Sequence, residues 1–269
     1  MRSRLVTIAV LLLSLAGISL AAPIGDAEKH YRQALEKDPR DVETRKYLGL
    51  LLLATGKREE GAQHIAIALS LRPKSAELRT QLAQDIGRLG FAADAEKLLR
   101  DAIQLEPDYA PACKTLAEML YTLNRRAEAA SAFKAACLVD RFNPDLHHSY
   151  GLVLYQLGRK DEAEAEFRQA IKLREDFTQA YFHLALTLSE KGATNEAERV
   201  YLRLIAKDDK FAEVYNNLAA LYLMSRREDD AFAMFEKAKA VYVERHDTNQ
   251  VARIDGILKQ LRPPIPGFE

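Results

Sequence analysis

The sequence predicts an all-α protein, a right-handed superhelical solenoid of antiparallel helix pairs closed by a C-terminal capping helix. Three observations predict it. In Pro144–Phe177, apolar residues recur at three- and four-residue steps in two runs, which places one apolar stripe on each of two helices. Gly158 stands between the runs, where glycine allows a left-handed break. The same pattern returns every 34 residues without insertion, and the composition is rich in the helix formers Ala, Leu, Glu, Lys and Arg. A single hairpin of this kind has too little apolar surface to stand alone, so its neighbours must cover it.

The elements follow in order. Residues 1–21 carry Arg2 and Arg4, an uncharged run from Leu5 to Leu20, and the small-residue exit Ser19-Leu20-Ala21. This is a secretory signal pattern, with cleavage after Ala21 or Ala22. The alternative is an uncleaved anchor over residues 5–24, which is about long enough to span a bilayer. No cysteine follows the apolar run, so lipid attachment is not available there. Residues 22–41 hold only a second-helix pattern, Asp26–Asp38, and read as a half-repeat that caps the front of the stack. Residues 42–245 hold six repeats, which start at Val42, Ala76, Ala110, Pro144, Thr178 and Ala212. The last repeat has a lengthened second helix over Phe232–Arg245. Residues 246–262 give the capping helix, started by Asp247 or Thr248, with Val251, Ile254, Leu258 and Leu261 on one side. Residues 263–269 are a flexible, proline-rich tail.

Within the repeats, small residues hold fixed places. The first helix carries Gly49, Ala83, Ala117, Gly151, Ala185 and Ala219. The second carries Ala27, Gly61, Ala95, Ala129, Ala163, Ala197 and Ala231, followed by a bulky Tyr31, Ile65, Leu99, Phe133, Phe167, Tyr201 or Phe235. Small residues let the paired helices approach, and the bulky residue fills the gap to the next pair.

This arrangement resembles the tetratricopeptide repeat over nearly the whole mature chain. Pro39, Pro73 and Pro107 match the family's proline between repeats; Arg141, Glu175 and Asp209 replace it later, where less rigid or more continuous connections are expected. The resemblance implies that first helices line a concave groove that holds a peptide or protein segment. The inner places of the later repeats are His148, Leu152, Tyr155, Phe182, His183, Leu186, Asn216, Asn217, Ala220 and Leu223. Apolar groups there supply area and amides supply hydrogen bonds. The earlier repeats offer the more polar set Lys46, Tyr47, Leu50, Thr80, Gln81, Gln84, Lys114 and Glu118. The family's carboxylate clamp is absent, because Leu50 follows Lys46 and Glu118 follows Lys114. An asparagine ladder is represented by Asn216 and Asn217 alone.

No phosphate loop, zinc-protease motif or nucleophile elbow occurs. Acidic clusters such as Asp161-Glu162 and Glu228-Asp229-Asp230 sit at helix starts, where they suit the helix dipole. The expectation is a non-enzyme without cofactor or bound metal. His147, His148 and His183 have no cysteine or carboxylate placed to complete a metal site. Cys113 and Cys137 lie at one level of a hairpin, and form either a disulfide or a buried thiol pair. Lys plus Arg equals Asp plus Glu at 39 each, which argues against a nucleic-acid binder. The expected function is an interaction scaffold of the bacterial periplasm or cell envelope with a protein or peptide partner. Its membrane contact would be limited to an uncleaved N-terminus. The alternatives are an assembly factor for pilus or secretin complexes and an accessory subunit of an envelope enzyme system.

Overall fold

The structure, a computed structural model, describes residues 24–262. The expected signal or anchor and the proline-rich tail lie outside these residues. Fourteen helices and no strand occur among the described residues, and no helix there is long and apolar enough to cross a membrane. The chain is an all-α solenoid of antiparallel helix pairs. It divides into two compact units, one ending at Val139 and one starting at Asp140; the division falls at a repeat boundary.

The first unit contains α1 (Ile24–Lys37) and the hairpins α2/α3 (Val42–Ala54, Arg58–Leu71), α4/α5 (Ala76–Arg88, Ala92–Leu105) and α6/α7 (Ala110–Thr122, Arg126–Val139). The second contains α8/α9 (Pro144–Gln156, Lys160–Leu173), α10/α11 (Thr178–Glu190, Thr194–Lys207) and α12/α13 (Ala212–Met224, Glu228–Glu244). It ends with α14 (Thr248–Leu261), which packs on α13. The first helices begin at the six positions where the sequence repeat restarts.

One turn joins the two helices of every hairpin. Gly56, Gly90, Asn124, Gly158, Gly192 and Arg226 stand 34 residues apart, with φ of 89°, 94°, 62°, 75°, 77° and 58°. The next residue's N–H reaches back five residues to a helix carbonyl, as from Arg159 to Leu154 at 2.9 Å. This closes the exposed end of the first helix in a Schellman turn. Asn124 and Arg226 take the place of glycine at some conformational cost.

Between hairpins the connections are alike. Residues 38–41, 72–75, 106–109, 140–143, 174–177 and 208–211 each form a four-residue turn closed by a backbone hydrogen bond of 3.0–3.4 Å. The connections lacking proline are therefore not more continuous than the others. The hydrogen-bonded turn stops the helix with or without the ring. The residue before each first helix differs in kind. Asp41, Ser75 and Asn143 cap the helix with a side-chain oxygen, the usual means of satisfying its free N–H groups. Tyr109, Phe177 and Phe211 occupy the same place without a side-chain cap.

Hairpin interiors follow the small-and-bulky pattern. Ala95, Ala129, Ala163, Ala197 and Ala231 are each fully buried. In α2/α3 two backbones touch: a methyl added at Gly61 would lie 2.7 Å from the Gly49 carbonyl. In α8/α9 a methyl added at Gly151 would lie 2.7 Å from the Phe167 ring. At the front, Tyr31 of α1 stacks on Tyr47 of α2 with centroids 6.2 Å apart. At the back, Asp247 caps α14 by accepting from the Gln250 N–H at 3.1 Å, and Ile254 and Leu258 are the buried face of that helix.

Ion pairs tie each second helix to the turn that leads into the next one. Glu28 holds Lys57 at 2.9 Å, Glu164 holds Lys191 at 2.5 Å, and Glu198 holds Arg227 at 2.9 Å. Glu96 pairs with Arg125 in the same way. At the α3/α5 step, Ala62 and Phe91 replace the acid and the base. A cleft of about 490 Å³ opens there, lined by Ala62, Ile65, Leu69, Phe91 and Leu98 among others.

Candidate functional site

The predicted inner residues lie on the first helices of the second unit. α8 carries His148, Leu152 and Tyr155; α10 carries Phe182, His183 and Leu186; α12 carries Asn216, Asn217, Ala220 and Leu223. Ala220 is exposed and the other nine are half-buried. This is the burial expected of a helix face that packs on its neighbours along one edge and meets solvent along the other.

Two ties join α8 to α10. Tyr155 donates its hydroxyl to Glu190, and Glu190 also pairs with Lys160 at 3.0 Å. Burial, reinforced by that carboxylate, pushes the Tyr155 phenol well above its ordinary range. The phenol's hydrogen bond, then Lys160, holds Glu190 below its own. The second tie is between imidazoles: His148 Nε2 lies 3.0 Å from His183 Nδ1, which lies 2.8 Å from the Gln179 carbonyl.

The two histidines are packed in an aromatic cluster. The His148 ring centroid lies 4.9 Å from Phe177 and 5.9 Å from Phe167. His183 stacks on Phe167 at 5.7 Å and meets Phe182 edge-on at 5.5 Å. Phe182 in turn stacks on Phe211 at 5.3 Å. The aromatic residues that begin α10 and α12 in place of polar caps thus support this face from behind. Burial draws the pKa of both histidines down, His148 to about 4 with the nearby His183 as a second cause.

Farther along, Asn216 Oδ1 is buried and has no hydrogen-bond partner among the described residues. An unmet buried acceptor is costly, and this one lies beneath the surface of the face. Met224, at the end of α12, is 72% exposed beside Leu223. His147 lies apart from this set: its ring nitrogens meet Glu166 at 2.6 Å and the Arg141 carbonyl at 3.1 Å. Against the sequence expectation, a cysteine and a carboxylate do stand with it, with polar atoms of Cys137, His147 and Glu166 within 4.8 Å of one another.

Sequence reasoning missed Glu190, Phe177, Phe211 and Met224. A signal for the first three was present. Phe177 and Phe211 are 34 residues apart, at places where Asp41, Ser75 and Asn143 are polar. Glu190 is 35 residues beyond Tyr155, the same step that separates His148 from His183.

The corresponding face of the first unit is occupied by its own contacts. Lys46 is only 5% exposed, with Nζ 2.5 Å from Glu43, 3.3 Å from Gln81 and 4.6 Å from the Tyr47 ring centroid. Gln84 donates to Thr115 at 3.0 Å. Leu50 and Thr80, read from the repeat as inner residues, are buried instead; the Thr80 hydroxyl bonds the Ala76 carbonyl at 2.9 Å. Both lean into the neighbouring helices, because an interior first helix is covered on more than one side. Cys113 and Cys137 are buried free thiols, so the disulfide option is not realised in the structure. The Cys113 thiol contacts the Pro107 carbonyl at 3.9 Å, and burial raises its pKa.

Fold and face together define a helical-repeat protein whose second unit presents half-buried aromatic, aliphatic and amide groups on consecutive first helices. The chain belongs to the tetratricopeptide repeat superfamily. A TPR repeat model matches residues 151–192, and tetratricopeptide repeat models match residues 24–76 and 200–233. No curated protein matches the sequence. Solved structures share the fold. YrrB, described as a TPR protein with an unusual peptide-binding site, is 21% identical over 70% of this chain and 96% of its own, with a TM-score of 0.62. MamA is 17% identical over 64% of this chain and 94% of its own, with a TM-score of 0.61. PilW, described as a widely conserved type IV pilus biogenesis factor, is 19% identical over 71% of this chain and 95% of its own, with a TM-score of 0.50.

Proposed function

We propose that the protein is a non-enzymatic scaffold that holds a peptide or helical segment of a partner protein against α8, α10 and α12. The observation that carries this reading is the face itself. Tyr155, Phe182 and Leu186 are half-buried beside the half-buried Asn216 and Asn217. Rigid aromatic groups give contact area at low entropic cost, and side-chain amides can pair the backbone groups of a bound segment. The peptide-binding site named for YrrB supports this mode of action. The signal pattern of residues 1–21 supports a place in the periplasm or cell envelope, with anchoring through residues 5–24 as the alternative.

A second reading, assembly of a pilus or secretin complex, is supported by the likeness to PilW. Capture from an envelope extract distinguishes assembly from an accessory role in an enzyme system: pilins or secretin subunits favour the first, synthases or hydrolases the second. The site is tested by Tyr155→Ala combined with Phe182→Ala. Partner capture is expected to weaken at least about tenfold, the usual effect of removing two interface aromatics, with helicity and melting retained. Unchanged capture would move the site elsewhere.

A further inference from the structure

We infer that His148 and His183 form an acid-sensitive latch, which joins the first helices of two adjacent repeats only while the His148 ring is neutral. The geometry sets the proton positions. His183 Nδ1 lies 2.8 Å from the Gln179 carbonyl, and a carbonyl only accepts, so this nitrogen carries hydrogen. His148 Nε2 lies 3.0 Å from the same nitrogen, and it can share that hydrogen only through a bare lone pair. His148 therefore carries its own hydrogen on Nδ1. A proton added to His148 must go to Nε2, where it faces the N–H of His183. The pair then changes from donor and acceptor to two opposed donors, at least one of them charged.

The surroundings give that charge little relief. Phe167 and Phe177 pack against His148, and Phe167 and Phe182 pack against His183. The titratable groups that act on His148 are His183 of α10, Asp145 of α8 and Arg174, which follows α9. Asp145 favours the charged ring and Arg174 opposes it; these two are bound to each other at 2.6 Å. For His183 the one favourable influence is the Gln179 carbonyl. From α9, Glu166 is engaged by His147 instead.

The direction of the pH effect follows. The opened chain takes up protons near the ordinary histidine value of 6.5, whereas closed His148 resists until about 4. Closure is therefore fully favourable above about 6.5 and loses stability as pH falls toward 4. The latch is independent of what the inner face binds, so its test needs no partner. Ring ¹⁵N spectra of the unaltered protein are expected to show His148 neutral at pH 5, with hydrogen on Nδ1. Amide protection in α8 and α10 is expected to fall roughly tenfold between pH 7 and pH 5. In His148→Phe most of that fall should disappear, leaving only what His183 contributes. The latch is overturned if both rings titrate near 6.5 in the folded protein, or if His148→Phe keeps the same acid response. Should the variant fail to fold, the ring spectra decide alone.

Discussion

The two units apply one repeat to opposite ends. In the first, the face of α2, α4 and α6 is taken up by internal polar contacts, with Lys46 held by Glu43 and Gln81. Its apolar openings lie instead between second helices. One is the cleft at Ala62 and Phe91; the other, of about 730 Å³, lies between α5 and α7 and is lined by Ile103, Leu116, Ala132 and Ala135 among others. In the second unit ion pairs of Glu164, Arg168, Lys191 and Glu196 bridge the repeats, as Glu28–Lys57 and Glu96–Arg125 do in the first, but the aromatic groups gather behind the first helices. The contrast shows which positions the repeat commits. The small and bulky interior places are needed for the hairpin to close. The remaining faces are free to be polar or apolar, and each unit has assigned them differently.

The sharpest way to break this comparison is at the bulky place. Phe167→Ala removes a fully buried ring that also supports His148 and His183. It should cost about 3–5 kcal/mol of stability in denaturant unfolding and perturb the second unit's inner face. A loss below about 1 kcal/mol would mean the ring is not the centre of that unit. In the first unit the equivalent strain falls on the small place. Gly61→Ala forces a methyl to 2.7 Å from the Gly49 carbonyl and 3.0 Å from Leu53. About 1–3 kcal/mol is expected from such overpacking, with the second unit's amide exchange unchanged if the units respond separately. The smallest effect is a gain. Arg226 holds a left-handed φ of 58°, so Arg226→Gly should stabilise by up to about 1 kcal/mol through relief of backbone strain. A melting temperature that falls would show that the arginine side chain contributes more than its backbone costs.

Much of this was legible in the sequence, because a repeat states its own register. The starts of α2 and α8 follow from the 34-residue step, and the Asp247 cap of α14 follows from the residue type at a helix start. Periodicity gives the face a residue occupies, but not how far it leans into a neighbour. Leu50 and Thr80 share the inner stripe and are nonetheless covered. The turn at Asn124 keeps its left-handed form without glycine because the flanking helices impose it. The aromatic starts of α10 and α12 were visible as a break in the repeat, but their purpose was not: propensity favours a polar cap there, and only tertiary packing explains why a ring serves better. The histidine pair required atomic positions, since a spacing of 35 residues fixes proximity and leaves the proton's location open.

The ties between neighbouring repeats have a consequence for how the chain acquires its structure. Lys46 to Gln81 and His148 to His183 each span 35 residues, about one repeat. Bonds of that reach close loops of modest size, so their entropic cost is met early and ordering can spread from one hairpin to the next. Assembly of either unit can therefore begin at whichever hairpin forms first. A chain emerging from its N-terminus can order α2/α3 before α12/α13 has been made.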